Sequence, residues 1–187
     1  MSSSNAVRAA FERVFNDEDS FGTPVQPSMA FRSLGYVFPY ALRLDQQHAL
    51  ASVCQVLAEP TVGILALESP RGIWEVVPSP DLYAIADVTG VQNAIVSMSG
   101  QWGILVSFEW HAILACANRE VLDLFRRHMP EFEDAAVIAM LQRWKSEAGS
   151  VRDRTRVRWI PRQVFHVYGD DRGATLLRLS GWDPANP

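Results

Sequence analysis

In the stretch QWGILVSFEWHAILAC, Gln101 to Cys116, an acid and an imidazole, Glu109 and His111, stand two residues apart inside an otherwise apolar run. A carboxylate and an imidazole can share general acid and base work, but only where a cleft and a specific partner hold them against a substrate. Spacing alone supplies neither. Extended, the segment puts Trp102, Ile104, Val106, Phe108, Trp110, Ala112, Leu114 and Cys116 on one face and Ser107, Glu109 and His111 on the other. So long a run exceeds the usual strand of roughly 3–10 residues, so two strands with a bend at Phe108-Glu109-Trp110 are expected. Glu109 then reaches solvent and His111 starts the second strand, an arrangement that requires no chemistry.

Cys116 ends that second strand just before a helix start, where the helix dipole lowers a thiol pKa, and His111 is near in sequence. Against a nucleophile stand two facts: free cysteine commonly packs as a small apolar residue, and His111 at i−5 points to the opposite face. Ser97 and Ser99 lie in VSMSGQWG without a Gly-x-Ser-x-Gly elbow, and Ser99-Gly100 is explained as a turn. His48, His111, His128 and His166 are scattered, with no HExxH and no cysteine pair at zinc spacing, so neither metal nor cofactor is expected. His128 suits the end of its helix. No glycine pattern cradles a nucleotide phosphate, and Asp170-Asp171 reads as a hairpin tip. No catalytic residue is assigned. The enzymatic alternative is a small hydrolase or transferase using Cys116 or the Glu109/His111 pair.

A sharper pattern is VRDRTRVRW. Extended, it sets Arg152, Arg154, Arg156 and Arg158 in a row on one face, about 6.8 Å apart and inside a Debye length of roughly 8 Å. Something anionic must lie opposite. Glu131, Glu133 and Asp134 could serve from within the chain, at little net stability per exposed pair. An acidic protein partner, which arginine grips bidentately, or a nucleic-acid backbone could serve from outside. Trp159 has the wrong parity to stack on bases beside the arginines, which favours protein over nucleic acid.

The totals agree with that preference. The chain has 187 residues, 48% of them hydrophobic, enough for one domain with a sizeable core. Its net charge of −4 gives no general attraction for nucleic acid or anionic lipid. Cys54 and Cys116 sit in apolar surroundings and read as reduced thiols. The N-terminus lacks a secretory pattern, and nowhere do about 18 apolar residues run together, so a cytoplasmic chain without membrane attachment is expected. Lys145 is the one lysine among 17 basic residues, a bias that points to a GC-rich bacterial genome.

The elements that would position these residues follow from periodicity. Asn5 caps a first helix with Val7, Ala10, Phe11, Val14 and Phe15 at helical spacing, and residues 1–30 read as this helix and a flexible connection, an outlying arm. Phe31 to Leu44 is partly extended. Asp45 caps DQQHALASVCQVLAE, whose apolar face is Ala49, Leu50, Val53, Cys54 and Leu57, with Pro60 as the stop. VGILALE and GIWEVV form a hairpin about SPRG, and Ser79-Pro80-Asp81 opens a short helix. Strands from Asn93 and from Trp102 precede two helices, one capped by Asn118 and one carrying Phe132, Ala136, Val137, Met140, Leu141 and Trp144. VRDRTRVRW, QVFHVYG and ATLLRLSGW read as strands, the last two joined by a hairpin at Asp170-Asp171-Arg172-Gly173. Residues 183–187 read as a tail. The expected fold is a single α+β domain over 1–187, a mainly antiparallel sheet with helices packed on it.

The stretch SGQWGILVSFEWHAILA, Ser99 to Ala115, followed by a short helix, resembles a pattern in small bacterial immunity proteins, the cytosolic partners that neutralise toxins. The resemblance implies a protein partner, a cognate toxin, whose active surface the chain would occlude. The expected contact surface is Arg152, Arg154, Arg156 and Arg158, with Glu109 and His111 at the bend. The sequence leaves the oligomeric state open.

Overall fold

The computed structural model describes residues 3–16, 24–37, 41–68, 72–83, 92–107, 111–148 and 160–184. Six strands, β1 (Phe31–Gly35), β2 (Val62–Ala66), β3 (Gly72–Val76), β4 (Asn93–Ser97), β5 (Trp102–Ser107) and β6 (His111–Cys116), form one sheet in the order β1-β6-β5-β4-β2-β3. Every neighbouring pair is antiparallel. Around it lie α1 (Ser3–Val14), α2 (Leu44–Val56), α3 (Arg119–His128), α4 (Asp134–Ala148), α5 (Ile160–Tyr168) and α6 (Asp170–Leu179), with a 3-10 turn at Pro130–Phe132. The fold is α+β, as the sequence implies.

Both faces of the sheet are covered. Trp102, Ile104, Val106, Ala112, Leu114 and Cys116 share an apolar cluster with Leu50, Val53 and Cys54 of α2 and Val121 and Phe125 of α3. Leu105, Ile113 and Ala115 face the other way, into a cluster with α1, α4, α5 and α6. Antiparallel sheets commonly leave one face to solvent and alternate accordingly. Here β2, β4 and β5 are buried at every residue, so their middles appear in the sequence as apolar runs without alternation, with the polar Asn93, Ser97 and Ser107 at strand ends. Within the described residues the expected parity holds, with Trp102, Ile104, Val106, Ala112, Leu114 and Cys116 on one face, and Ser107 pairs with His111; the expected bend at 108–110 lies outside the described residues.

The first helix is no outlying arm. Val7, Ala10, Phe11 and Val14 are buried, and α1 lies on β2, β3, β4 and β5. Its approach depends on two strand glycines: a Cβ on Gly63 would stand 2.5 Å from Val7 Cγ1, and one on Gly103 would stand 2.6 Å from Phe15 Cε2. Removing two side chains from the pleat lets the helix settle closer to the strand backbone.

The C-terminal region departs from the strand reading. Gln163 to Tyr168 belongs to α5 and Ala174 to Leu179 to α6, so Asp170-Asp171 is not a hairpin tip. Gly169, at φ 73°, turns the chain between the helices, and both aspartates fall in the first turn of α6, where they face a positive dipole end. In α5 the buried residues are Ile160, Pro161, Gln163, Val164 and Val167, a helical spacing. Adjacent burial of Leu176 and Leu177 equally excludes a half-buried strand. The helix closes on Gly181 at φ 81°: Gly181 N–H donates to Arg178 O at 3.0 Å and Trp182 N–H to Leu177 O at 2.8 Å, the paired bonds of a glycine-terminated helix. Lys145 Nζ donates to Gly181 O, and Trp182 Nε1 to Leu141 O at 2.9 Å, tying α6 to α4.

Elsewhere the ends follow local chemistry. Asn118 caps α3 as expected, its side chain accepting from Val121 N–H at 2.9 Å. Helix α2 begins at Leu44, one residue before the expected Asp45 cap, because Gln46 Oε1 accepts the Arg43 N–H at 2.9 Å while Asp45 pairs with the Arg43 guanidinium. It stops before Pro60, with Ala58 at φ 54° and Glu59 N–H returning to Cys54 O at 2.9 Å. Leu82 and Tyr83 are helical after Ser79-Pro80-Asp81, while the SPRG turn and the VRDRTRVRW strand fall outside or largely outside the described residues.

Strand β1 lies at an edge of the sheet, and side chains occupy its outer side. Tyr168 Oη accepts the Leu34 N–H at 2.7 Å and lies 3.2 Å from Ser33 Oγ, which donates to Phe132 O at 2.6 Å. Arg32 donates to three carbonyls, Met29 at 2.6 Å, His166 at 2.8 Å and Gln26 at 3.1 Å. The Tyr168 bond satisfies the Leu34 N–H, a group that a bare edge would offer to another chain, and the Arg32 and Ser33 bonds tie the strand to the chain beside it.

Candidate functional site

Of the residues expected at a contact surface, Glu109, Arg152, Arg154, Arg156 and Arg158 lie outside the described residues. His111 is described and is conformationally unusual, a non-glycine residue at φ 57° where β6 begins. The left-handed region costs an ordinary residue roughly 1–2 kcal/mol. The ring is held by its surroundings: it stacks on Tyr36 with centroids 4.9 Å apart and on Trp144 at 5.1 Å. Nδ1 lies 3.0 Å from Val37 O, and a carbonyl can only accept, so Nδ1 carries the proton.

Three elements build this stack. β1 leads directly into Tyr36, β6 supplies His111 from the face that also carries Ile113, and α4 supplies Trp144. Arg143, one residue earlier on α4, sets its guanidinium 5.3 Å from the Tyr36 centroid and bonds Glu147 at 2.7 Å. Trp144 is nearly covered, Tyr36 and His111 are half-buried, and the Arg143 side chain is 59% exposed. The arrangement therefore grades from a buried aromatic floor to a rim formed by the Arg143–Glu147 ion pair. Its imidazole is engaged by two stacked rings and through Nδ1.

Cys116 is not placed for nucleophilic chemistry. It is fully buried among apolar side chains, and burial pushes its thiol well above the ordinary range, more than the nearby Arg126 charge draws it down. His111 stands at the other end of β6 and on the other face of the sheet. Cys54 is buried too, its thiol pushed up to about 12 by desolvation and by the charge of Glu59. Both cysteines are free.

The structure joins Ser97 and Ser99 to a residue that sequence reasoning passed over. Ser97 Oγ is 2.5 Å and Ser99 Oγ 3.1 Å from Glu59 Oε1, and Ser99 N–H donates to Ser97 Oγ at 3.2 Å. Arg13 of α1 donates to Ser99 O at 3.1 Å. Ala58 in the left-handed region delivers Glu59 to this position; the helix stop at Pro60 was the only signal for it. The trio links the end of α2 to the β4–β5 turn as a hydrogen-bonded clasp.

His48 and His128 are exposed on α2 and α3, and His166 Nε2 lies 3.5 Å from Val25 N–H. Among the described residues no cluster of His, Cys, Asp and Glu could hold a metal ion, and no helix is long and apolar enough to cross a membrane. A shallow depression of about 420 Å³ is lined by Phe165, Asp170, Asp171, Ala174, Arg178 and Pro184.

Fold and site together define an α+β protein with an antiparallel sheet covered on both faces and an aromatic–cationic stack where β1, β6 and α4 meet. Comparison with known protein families, with curated proteins and with solved structures finds no match.

Proposed function

We propose that the chain is a partner-binding protein of immunity or inhibitor type, a bacterial cytoplasmic protein that neutralises a toxin by covering its active surface. The observation that carries this reading is the stack of His111 between Tyr36 and Trp144 with Arg143 over Tyr36. Aromatic residues and arginine are the types that interfaces enrich and that dominate binding energy. A stack already locked in the free protein loses little rotamer freedom on association. The arginine spacing of residues 152–158 and the resemblance of Ser99–Ala115 to immunity proteins support the same reading, with an acidic surface on the partner.

The test is capture of a partner from a lysate of the source organism, followed by titration of the purified pair. Expected is a stoichiometric complex in which the partner's toxic activity is lost. The Tyr36→Ala variant and the Arg154→Glu/Arg156→Glu double variant, each shown to be folded by circular dichroism, should each weaken it by about tenfold or more. Unchanged affinity in both folded variants would remove the proposed surface. Retained toxic activity in the complex would remove the inhibitory role.

A further inference from the structure

Two guanidinium groups converge on one carboxylate where α3, α4 and α6 meet beside β1. Arg126 Nη2 stands 3.0 Å from Asp134 Oδ1, and Arg172 Nη2 stands 2.7 Å from both Asp134 oxygens. Arg126 Nη2 also lies 3.4 Å from Ser33 Oγ, and Arg172 lies 5.7 Å over the Tyr168 ring.

Donors and acceptors do not balance there. Each guanidinium offers five N–H groups in a planar fork, yet Asp134 engages one nitrogen of each. In Arg126, Nε and Nη2 share one edge, the edge that grips an oxyanion bidentately. Asp134 takes Nη2 and leaves Nε, which is buried with no hydrogen-bond partner. A buried donor left unpaired is costly. The trio carries a net positive charge, and Asp134 belongs to the first turn of α4, so the dipole of that helix adds to the positive potential. The Arg126 side chain is 16% exposed against 42% for Arg172 and 45% for Asp134, so the cluster is open on the side of the latter two.

We infer that Arg126 and Arg172 form a binding site for an oxyanion of the phosphate class, with the Asp134 carboxylate as its built-in competitor. A tetrahedral oxyanion presents more acceptor atoms than a carboxylate and can meet both nitrogens of the Arg126 edge together with Arg172. Asp134 holds the arginines in place while the site is empty and weakens the anion by charge repulsion when it is filled.

Titration of the full chain with inorganic phosphate tests this, read by calorimetry and by the Nε–H resonances of Arg126 and Arg172, with chloride at matched ionic strength as the control. The site does not depend on the partner-binding reading, and no partner is needed. Wild type should bind phosphate saturably, and Asp134→Asn, which removes the competing charge, should bind about fivefold or more tightly. Arg172→Gln, at an exposed position, should fold normally and lose binding. Equal phosphate affinity in wild type and Arg172→Gln would overturn the proposal, as would the absence of saturable binding in a folded Asp134→Asn protein.

Discussion

The phenolic oxygen of Tyr168, at the end of α5, accepts the backbone N–H of Leu34 across 134 residues of chain, at 2.7 Å. A side chain thereby does for an edge strand what a neighbouring strand would do. Tyr168→Phe keeps the ring and leaves the N–H of Leu34 without its acceptor. The expected loss is about 1–3 kcal/mol of unfolding free energy in urea titration. A loss indistinguishable from zero would mean that water replaces the hydroxyl at no cost.

Val7 and Gly63 make the second case. The Val7 methyl occupies the space that a Cβ on Gly63 would need, so Gly63→Ala overpacks the contact and should cost about 1–3 kcal/mol. Val7→Ala removes the obstructing group. The double variant should therefore lose clearly less than the sum of the two single losses, a coupling that denaturant titration of all four proteins measures. Additive losses would show that the helix moves away from the sheet as a whole.

His111 stands in the left-handed region and can be probed by residue shape. Asparagine tolerates that backbone conformation and valine, branched at Cβ, does not. Both substitutions remove the stack on Tyr36 and Trp144, so His111→Val should melt below His111→Asn, with a difference of about 1 kcal/mol or more. Equal melting temperatures would place the value of His111 in its ring alone.

The buried thiols set an alkaline limit. Cys54 is raised from 9.0 to about 12 and Cys116 is raised by burial, so both remain protonated in the folded chain at pH values where the unfolded chain ionises. The unfolded state then binds fewer protons, and stability falls as pH rises. The contribution is intact below pH 9 and is lost progressively toward about 12, at about 1.4 kcal/mol per pH unit for each thiol. Unfolding free energies between pH 9 and 11 should show a shallower slope for Cys54→Ala than for wild type. At neutral pH both thiols should resist a disulfide reagent until the chain is denatured.

The parts of this fold legible in the sequence are those set by neighbours along the chain. The two-residue period from Trp102 to Cys116 separates the two faces because one slip would reverse every side chain. Asn118 announces its helix because the cap bond spans three residues. The helices α5 and α6 escape such reading: Val164, Phe165, Val167 and Tyr168 favour strands locally, and packing against β1 and α4 overrides them. The clasp at Glu59 and the Tyr168 bond to Leu34 join residues 38 and 134 positions apart, a relation that no spacing rule contains. His111 was found by its residue type, but its partners Tyr36 and Trp144 come from two other elements.

One face of the sheet is covered by the first helix and by the last three together, with about 120 residues between them. During synthesis the strands emerge before the helices that shield Leu34, Ile113 and Ala115. A ribosome paused short of Ile160 therefore holds a chain with a finished sheet whose one side is partly naked. Such a nascent chain is a natural client for a chaperone, and a C-terminal truncation would turn that passing state into a permanent, aggregating one.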